Sequence, residues 1–189
     1  MTTTFTEFEL AETAIDGLLV LRAFQAADER GTVRELFRIS RAEGIPGMPA
    51  AWSQLNLTSS VRGAVRGLHG EAMTKLVTVA AGRAFGAYVD ARPDSATRGE
   101  VVTVDLEPGV QVLVPAGVCN GFQALAEEPT EYLYCFDEEW RPGMPGVAVS
   151  PLDPELGIDW PIPIDPEDRA MLSAKDAAAP RLAELGGGA

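Results

Sequence analysis

Between Gln54 and Phe136, short apolar or alternating runs recur about every ten residues, each cut off by Gly, Pro or a polar cluster. That rhythm restricts the chain to an antiparallel β-sandwich or barrel. Gln54, Asn56 and Thr58 alternate with Leu55 and Leu57, the period of a strand with two unlike faces. Ser59 to Gly63 reads as a turn and Ala64 to His69 as a second strand, so the two are expected to form one hairpin. Lys75 to Ala81 is almost continuously apolar and reads as a buried strand ending at Gly82. Ala84 to Asp90, Glu100 to Leu106, Val110 to Pro115, Ala116 to Phe122 and Glu131 to Phe136 continue the series. Arg92 to Gly99 and Pro108-Gly109 supply the breaks.

The flanks are weaker in pattern. Phe5 to Leu10 alternates and reads as an edge strand, and Ile15 to Phe24 as another. Gln25 to Gly31 reads as a polar turn, Thr32 to Ile39 fits a strand or a short helix, and Ser40 to Pro49 reads as a loop. An edge segment without a local hairpin partner seeks one elsewhere, so Thr2 to Val20 is expected to pair with a second copy of the chain. Pro166 to Leu185, rich in Ala, Asp, Glu and Arg and broken at Pro180, predicts two short helices before a frayed tail at 186–189. No linker splits the chain, and 189 residues suffice for one domain with a real core.

The net charge of −13 argues against nucleic acid or an anionic membrane as a partner. A small anion can be bound only where a few Arg and Lys are gathered against that field. The first ten residues lack the basic end and apolar run of a signal peptide, and Leu18 to Leu21 is too short to span a bilayer. Two cysteines, Cys119 and Cys135, without a Cys-x-x-Cys pattern fit a reducing compartment, and the expectation is a cytoplasmic protein.

The one histidine, His69, lies in the stretch Gln54 to His69 with two amides and Arg66, and Lys75 follows closely. Removing a proton from a carbon beside a carbonyl needs a base that titrates near neutral pH, which His does untuned. It needs a cation or donor for the enolate oxygen, for which Lys75 is suited. Epimerisation also needs an acid on the opposite face, a role for Tyr134, and a carboxylate to orient the imidazole, for which Asp153 is the candidate. Taken singly, each has an ordinary structural reading: a core histidine, a surface arginine, a packed tyrosine, an aspartate opening a turn before Pro154.

Asp28-Glu29-Arg30-Gly31 with Glu35, Gln54-x-Asn56, Arg66-Gly67-Leu68-His69, Lys75-Leu76-Val77 and Val89-Asp90-x-Arg92 with Ser95 and Thr97 occur in sequence. After them come Val114-Pro115-x-Gly117 with Gly121-Phe122, Tyr134 with Trp140-Arg141-Pro142, Asp153-Pro154 with Ile158-x-Trp160-Pro161, and Leu172-Ser173-x-Lys175-Asp176. From Asp28 to about Leu182 the chain resembles the dTDP-4-keto-6-deoxyhexose epimerases of the dTDP-4-dehydrorhamnose 3,5-epimerase family.

The resemblance implies a cupin-like jelly-roll β-sandwich that needs neither metal nor organic cofactor. It implies a homodimer that exchanges N-terminal strands (1–25) and a dTDP-sugar substrate. It makes His69 the base, Asp153 its orienter, Tyr134 the acid and Lys75 the partner of the C4 oxygen. Arg66, Gln54 and Asn56 would engage the diphosphate, Trp140 would line the thymine or sugar pocket, and Arg30 and Glu35 would reach the partner's site. The sequence departs from the family at Asn120, where His is usual, and between His69 and Lys75, which is short and carries Gly70-Glu71. Those departures leave open which carbon is inverted, and whether the chain is an altered member that binds a nucleotide sugar or acts on a related keto sugar. A metal-dependent cupin usually needs several His, and this chain has one.

Overall fold

The computed structural model describes residues 2–186; of the expected tail, 187–189 lie outside the described residues. Fourteen strands are described, all paired antiparallel, in three sheets. A small sheet contains β1 (Thr4–Thr6), β4 (Gln25–Asp28) and β5 (Gly31–Arg34). A six-stranded sheet contains β2 (Glu9–Glu12), β3 (Leu19–Arg22), β11 (Val110–Val114), β8 (Lys75–Ala81), β13 (Thr130–Phe136) and β6 (Gln54–Ser60), in that order. A five-stranded sheet contains β10 (Val101–Leu106), β9 (Ala84–Asp90), β12 (Val118–Ala124), β7 (Val65–Glu71) and β14 (Gly146–Ala148).

From β6 to β9 the chain changes sheet at every step, and β11, β12 and β13 alternate again. This is the jelly roll, and it corrects the expected hairpin. β6 and β7 do not pair; Val61 to Ala64 carries the chain across the sandwich, so Asn56 and His69 face each other from opposite walls. The polar turn expected at Gln25 to Gly31 is also corrected: it is the β4–β5 hairpin, turning at Glu29-Arg30. β1 pairs with β4 and β2 with β3 within one chain, and among the described residues each stands at the end of its sheet with its other edge unpaired.

The central strands of the two large sheets, β8, β9, β11 and β12, are covered on both faces, which explains their nearly continuous apolar runs. Val77, Val79, Tyr88, Val112, Val114, Phe122 and Tyr132 fill the interior. Outside the five-stranded sheet, Val89, Cys119 and Leu156 pack with Trp160 and Leu182 of the C-terminal segment. Among the described residues, helix is confined to α1 (Ile39–Ala42), α2 (Ala174–Ala177) and two 3₁₀ turns, Pro154–Leu156 and Leu182–Glu184. No described helix is long and apolar enough to cross a membrane.

One irregularity positions the site. In a regular strand Arg66 and His69, three residues apart, would point to opposite faces. Between the register pairs Asn120↔His69 and Phe122↔Arg66, β7 holds one residue more than β12, a bulge that turns both side chains inward. Gly67 takes φ +113° there, and a Cβ on it would lie 2.7 Å from Asn120 O and Gly121 Cα. Gly67→Ala is therefore expected to destabilise the protein by about 2 kcal/mol or more, read as a lowered denaturation midpoint in urea.

Candidate active site

A cavity of about 540 Å³ opens between the two large sheets. β7 contributes Arg66, His69 and Glu71, and β12 contributes Asn120 and Phe122. The opposite wall holds Gln54, Asn56 and Thr58 of β6, Lys75 and Val77 of β8, and Tyr132, Tyr134 and Phe136 of β13. Trp140, half exposed, stands at the edge, and Ser173, Lys175 and Asp176 enter from the C-terminal segment.

His69 Nε2 lies 2.7 Å from Asp176 Oδ1. This corrects the assignment of Asp153. The Asp153 carboxylate instead accepts Glu155 N–H at 3.1 Å, opening the 3₁₀ turn, and Leu182 N–H at 2.9 Å. Asp176 is buried on the first turn of α2, where its own N–H donates to the capping Ser173 Oγ at 3.0 Å. Burial alone would push its carboxyl up. The His69 hydrogen bond and charge, with the Ser173 hydroxyl and the Gly67 N–H, outweigh that and hold it below the usual range.

Lys75 is buried, and its ammonium donates to His69 O at 3.1 Å and to Glu71 Oε2. A buried ammonium needs a counter-charge, and Glu71 supplies it. Burial would raise the Glu71 carboxyl; the charge and hydrogen bond of Lys75 reverse the shift and lower it. Of the three Lys75 protons, one remains for the cavity. Tyr134, on the wall opposite His69, accepts a hydrogen bond from Thr58 Oγ1 at 3.3 Å.

Arg66 Nε donates to Ser60 Oγ at 2.9 Å, and Gln54 joins Asn56 at 3.2 Å and the Trp140 N–H at 2.8 Å. Arg66, Lys75 and Lys175 thus gather in one cavity of an acidic chain, the local concentration an anionic ligand requires. Arg30 and Glu35 are elsewhere: Arg30 pairs with Asp28 at 2.6 Å on an exposed turn, and Glu35 pairs with Arg38 and Arg41. Neither lines this chain's cavity. Among the described residues no group of three or more His, Cys, Asp or Glu is placed to hold a metal.

The structure thus brings together His69, Lys75, Tyr134, Gln54, Asn56, Arg66, Asn120 and Trp140, and leaves Asp153, Arg30 and Glu35 outside. Sequence reasoning missed Asp176, Thr58, Tyr132 and the Glu71–Lys75 pair. For Asp176 a signal existed in Ser173-Ala174-Lys175-Asp176, whose N-cap spacing fixes the aspartate on a short first turn.

Fold and cavity together define a cupin-like jelly roll with a histidine–carboxylate pair, a tyrosine and cationic groups gathered in its interior. The model of the dTDP-4-dehydrorhamnose 3,5-epimerase family matches residues 12–184, and the chain belongs to that family of isomerases. The dTDP-4-dehydrorhamnose 3,5-epimerase of Salmonella typhimurium is 38% identical over 177 residues, covering 90% of this chain and 93% of its own. A 4-keto-6-deoxy sugar epimerase from the novobiocin biosynthetic gene cluster of Streptomyces spheroides superposes with a TM-score of 0.86 at 32% identity, over 97% of this chain and 92% of its own. The Legionella pneumophila dTDP-6-deoxy-D-glucose-3,5-epimerase, solved with dTDP-4-keto-L-rhamnose, gives 0.83 at 34% identity, over 95% and 97%.

Proposed function

We propose that this chain is a cofactor-independent epimerase of a dTDP-4-keto-6-deoxyhexose, acting at C3, C5 or both in deoxysugar biosynthesis in the cytoplasm. The observation that carries the reading is the placement of His69, backed by Asp176, and Tyr134 on facing walls of one cavity. His69 takes the proton from the carbon beside the C4 ketone, and the C–H electron pair moves into the enolate. Asp176 orients the imidazole and supports its positive charge. The free Lys75 proton meets the charge that develops on the C4 oxygen. Tyr134 then gives its proton to the opposite face of the same carbon, and both groups are reset through solvent. Arg66, with Gln54 and Asn56, holds the diphosphate, and Trp140 covers the base or sugar. In a homodimer, Arg30 and Glu35 of each copy extend toward the other's cavity.

Tyr134→Phe separates the two proton steps. Deuterium from solvent is expected at the reacting carbon with the original configuration retained, since His69 both removes and returns the label. Incubation of the wild-type protein with a dTDP-4-keto-6-deoxyhexose in deuterated water, followed by NMR, tests the whole reading and identifies the carbon. Asn120, which carries no charge where the family usually has His, favours a second reading as a nucleotide-sugar binder without turnover. Tight dTDP binding with no deuterium uptake selects that alternative.

A further inference from the structure

β7 carries His69 and Glu71 two residues apart, and beyond the bulge its pairing with β14 is regular: Ala148↔His69, Val147↔Gly70, Gly146↔Glu71. The two side chains therefore share the inner face, and both line the cavity. Gly70 between them faces outward, where a Cβ would lie 3.0 Å from Cys119 Sγ, Gly117 O and Val147 Cγ1. The short link from β7 to β8, residues 72–74, is pinned along its length. Gly117 N–H donates to Glu71 O at 2.9 Å, Ala72 N–H to Pro145 O at 3.2 Å and Thr74 N–H to Asp137 Oδ1 at 2.9 Å, and Met73 is buried. Glu71 Oε2 meets Lys75 Nζ at 2.5 Å, and among the described residues no other side chain bonds this carboxylate. Glu71 is thus a rigidly mounted acceptor in the cavity wall, beside the cation and two residues from the imidazole.

A 4-keto-6-deoxyhexose has two carbons beside its ketone, and their substituents differ: C3 bears a hydroxyl and C5 a methyl. In the epimerase reading above, Arg66 holds the diphosphate on C1 and Lys75 meets the C4 oxygen. One freedom then remains, rotation of the sugar about its C1–C4 line, and half a turn exchanges the C3 and C5 edges over β7. Because His69 and Glu71 share one face of that strand, the edge that meets Glu71 is the edge whose proton His69 takes. A carboxylate accepts a hydroxyl strongly, whereas a methyl placed against it displaces water and returns no hydrogen bond. We propose that Glu71 is a specificity-determining residue that accepts the C3 hydroxyl and so delivers C3, rather than C5, to His69. This rests on the epimerase reading and goes beyond it in naming the carbon.

In deuterated water the wild type should take up deuterium at C3 about tenfold or more faster than at C5, read by NMR. Glu71→Gln keeps an acceptor for Lys75 but withdraws the charge; the C3-to-C5 ratio should fall about tenfold, with dTDP affinity within about threefold. The 3-deoxy analogue of the substrate supplies a second arm. Loss of the hydroxyl should lower kcat/KM about tenfold more in wild type than in Glu71→Gln, a comparison that cancels the analogue's own acidity. Uptake at C5 as fast as at C3 in wild type, an unchanged ratio in Glu71→Gln, or an equal penalty for the analogue in both enzymes overturns the proposal. If Glu71→Gln does not fold, the wild-type ratio alone decides. If the wild type shows no uptake at either carbon, the epimerase reading fails on its own, and the hydroxyl contact is read from binding. The parent sugar nucleotide should then bind wild type about tenfold more tightly than the 3-deoxy analogue, and equal affinities reject the contact.

Discussion

His69→Ala is expected to lower deuterium uptake from solvent by on the order of 10²–10⁴-fold, the range a positioned general base contributes. Binding of dTDP should stay within a few-fold, because Arg66, Gln54 and Asn56 do not depend on the imidazole for their own contacts. Asp176→Asn should cost less than removing the base but still about 10²-fold. The amide keeps a polar contact to Nε2 at the 2.7 Å site but withdraws the charge that supports the imidazolium. Asp153→Asn, by contrast, should act on the anchoring of the Leu182–Glu184 turn, through the Leu182 N–H, rather than on the imidazole directly. Rates followed by NMR, with dTDP titrations on each variant, check the set. Near-normal uptake in His69→Ala would remove the basis for the assigned base.

The largest loss of stability is expected at Asp90. Its carboxylate is fully buried and accepts from Arg92 Nε at 2.9 Å, Arg92 Nη2 at 2.7 Å, Ser95 Oγ at 2.5 Å and Thr97 Oγ1 at 2.6 Å. Arg92 also donates to Asp16 O at 2.9 Å, and Asp16 N–H donates to Thr97 Oγ1 at 3.2 Å, so one carboxylate ties the β9–β10 loop to the N-terminal segment. Asp90→Ala strands the guanidinium and both hydroxyls, at a cost of about 3–5 kcal/mol. For a domain of this size that lowers the melting midpoint by roughly 10 °C, measurable by calorimetry. Burial alone would raise the Asp90 carboxyl, but the Arg92, Ser95 and Thr97 donors outweigh it and hold it far below its ordinary 3.8. A depressed carboxyl stabilises the folded state above its unfolded value and loses that stability as pH falls. Wild-type stability should therefore drop steadily below about pH 4, and the Asp90→Ala curve should be flatter there.

Most strands from Lys75 to Phe136 were legible because burial on both faces leaves long apolar runs between turn residues, and β10, half exposed, because its residues alternate. The crossing from β6 to β7 was not. A turn at Ser59 to Gly63 looks the same in sequence whether the chain folds back in one sheet or passes to the other. The β4–β5 hairpin was hidden because Gln25-Ala26-Ala27-Asp28 shows no alternation, each residue being half-buried. Among the expected site residues, those on strands, Gln54, Asn56, Arg66, His69, Lys75, Asn120 and Tyr134, line the cavity. The carboxylate partner was not legible, since Asp153 caps one short helical turn and Asp176 lies on the first turn of another. Only the path of the C-terminal segment decides which of them reaches His69. The bulge at Gly67, which turns Arg66 and His69 to one side, leaves no trace in the motif except the glycine itself.

The pair His69–Asp176 spans 107 positions of sequence, and the aspartate sits on a segment held to the sandwich by Val65 N–H to Met171 O, Ser150 N–H to Pro180 O, Leu182 N–H to Asp153, Gly67 N–H to Asp176 and the buried Leu172, with no strand of its own in either large sheet. Such a segment can open without the sheets coming apart. An opened strap would leave the walls and Tyr134 intact while the imidazole loses its counter-ion, so catalytic competence would melt before the fold does. Activity measured against temperature should then fall ahead of the unfolding transition, and hydrogen exchange should be fastest around Met171 to Leu182.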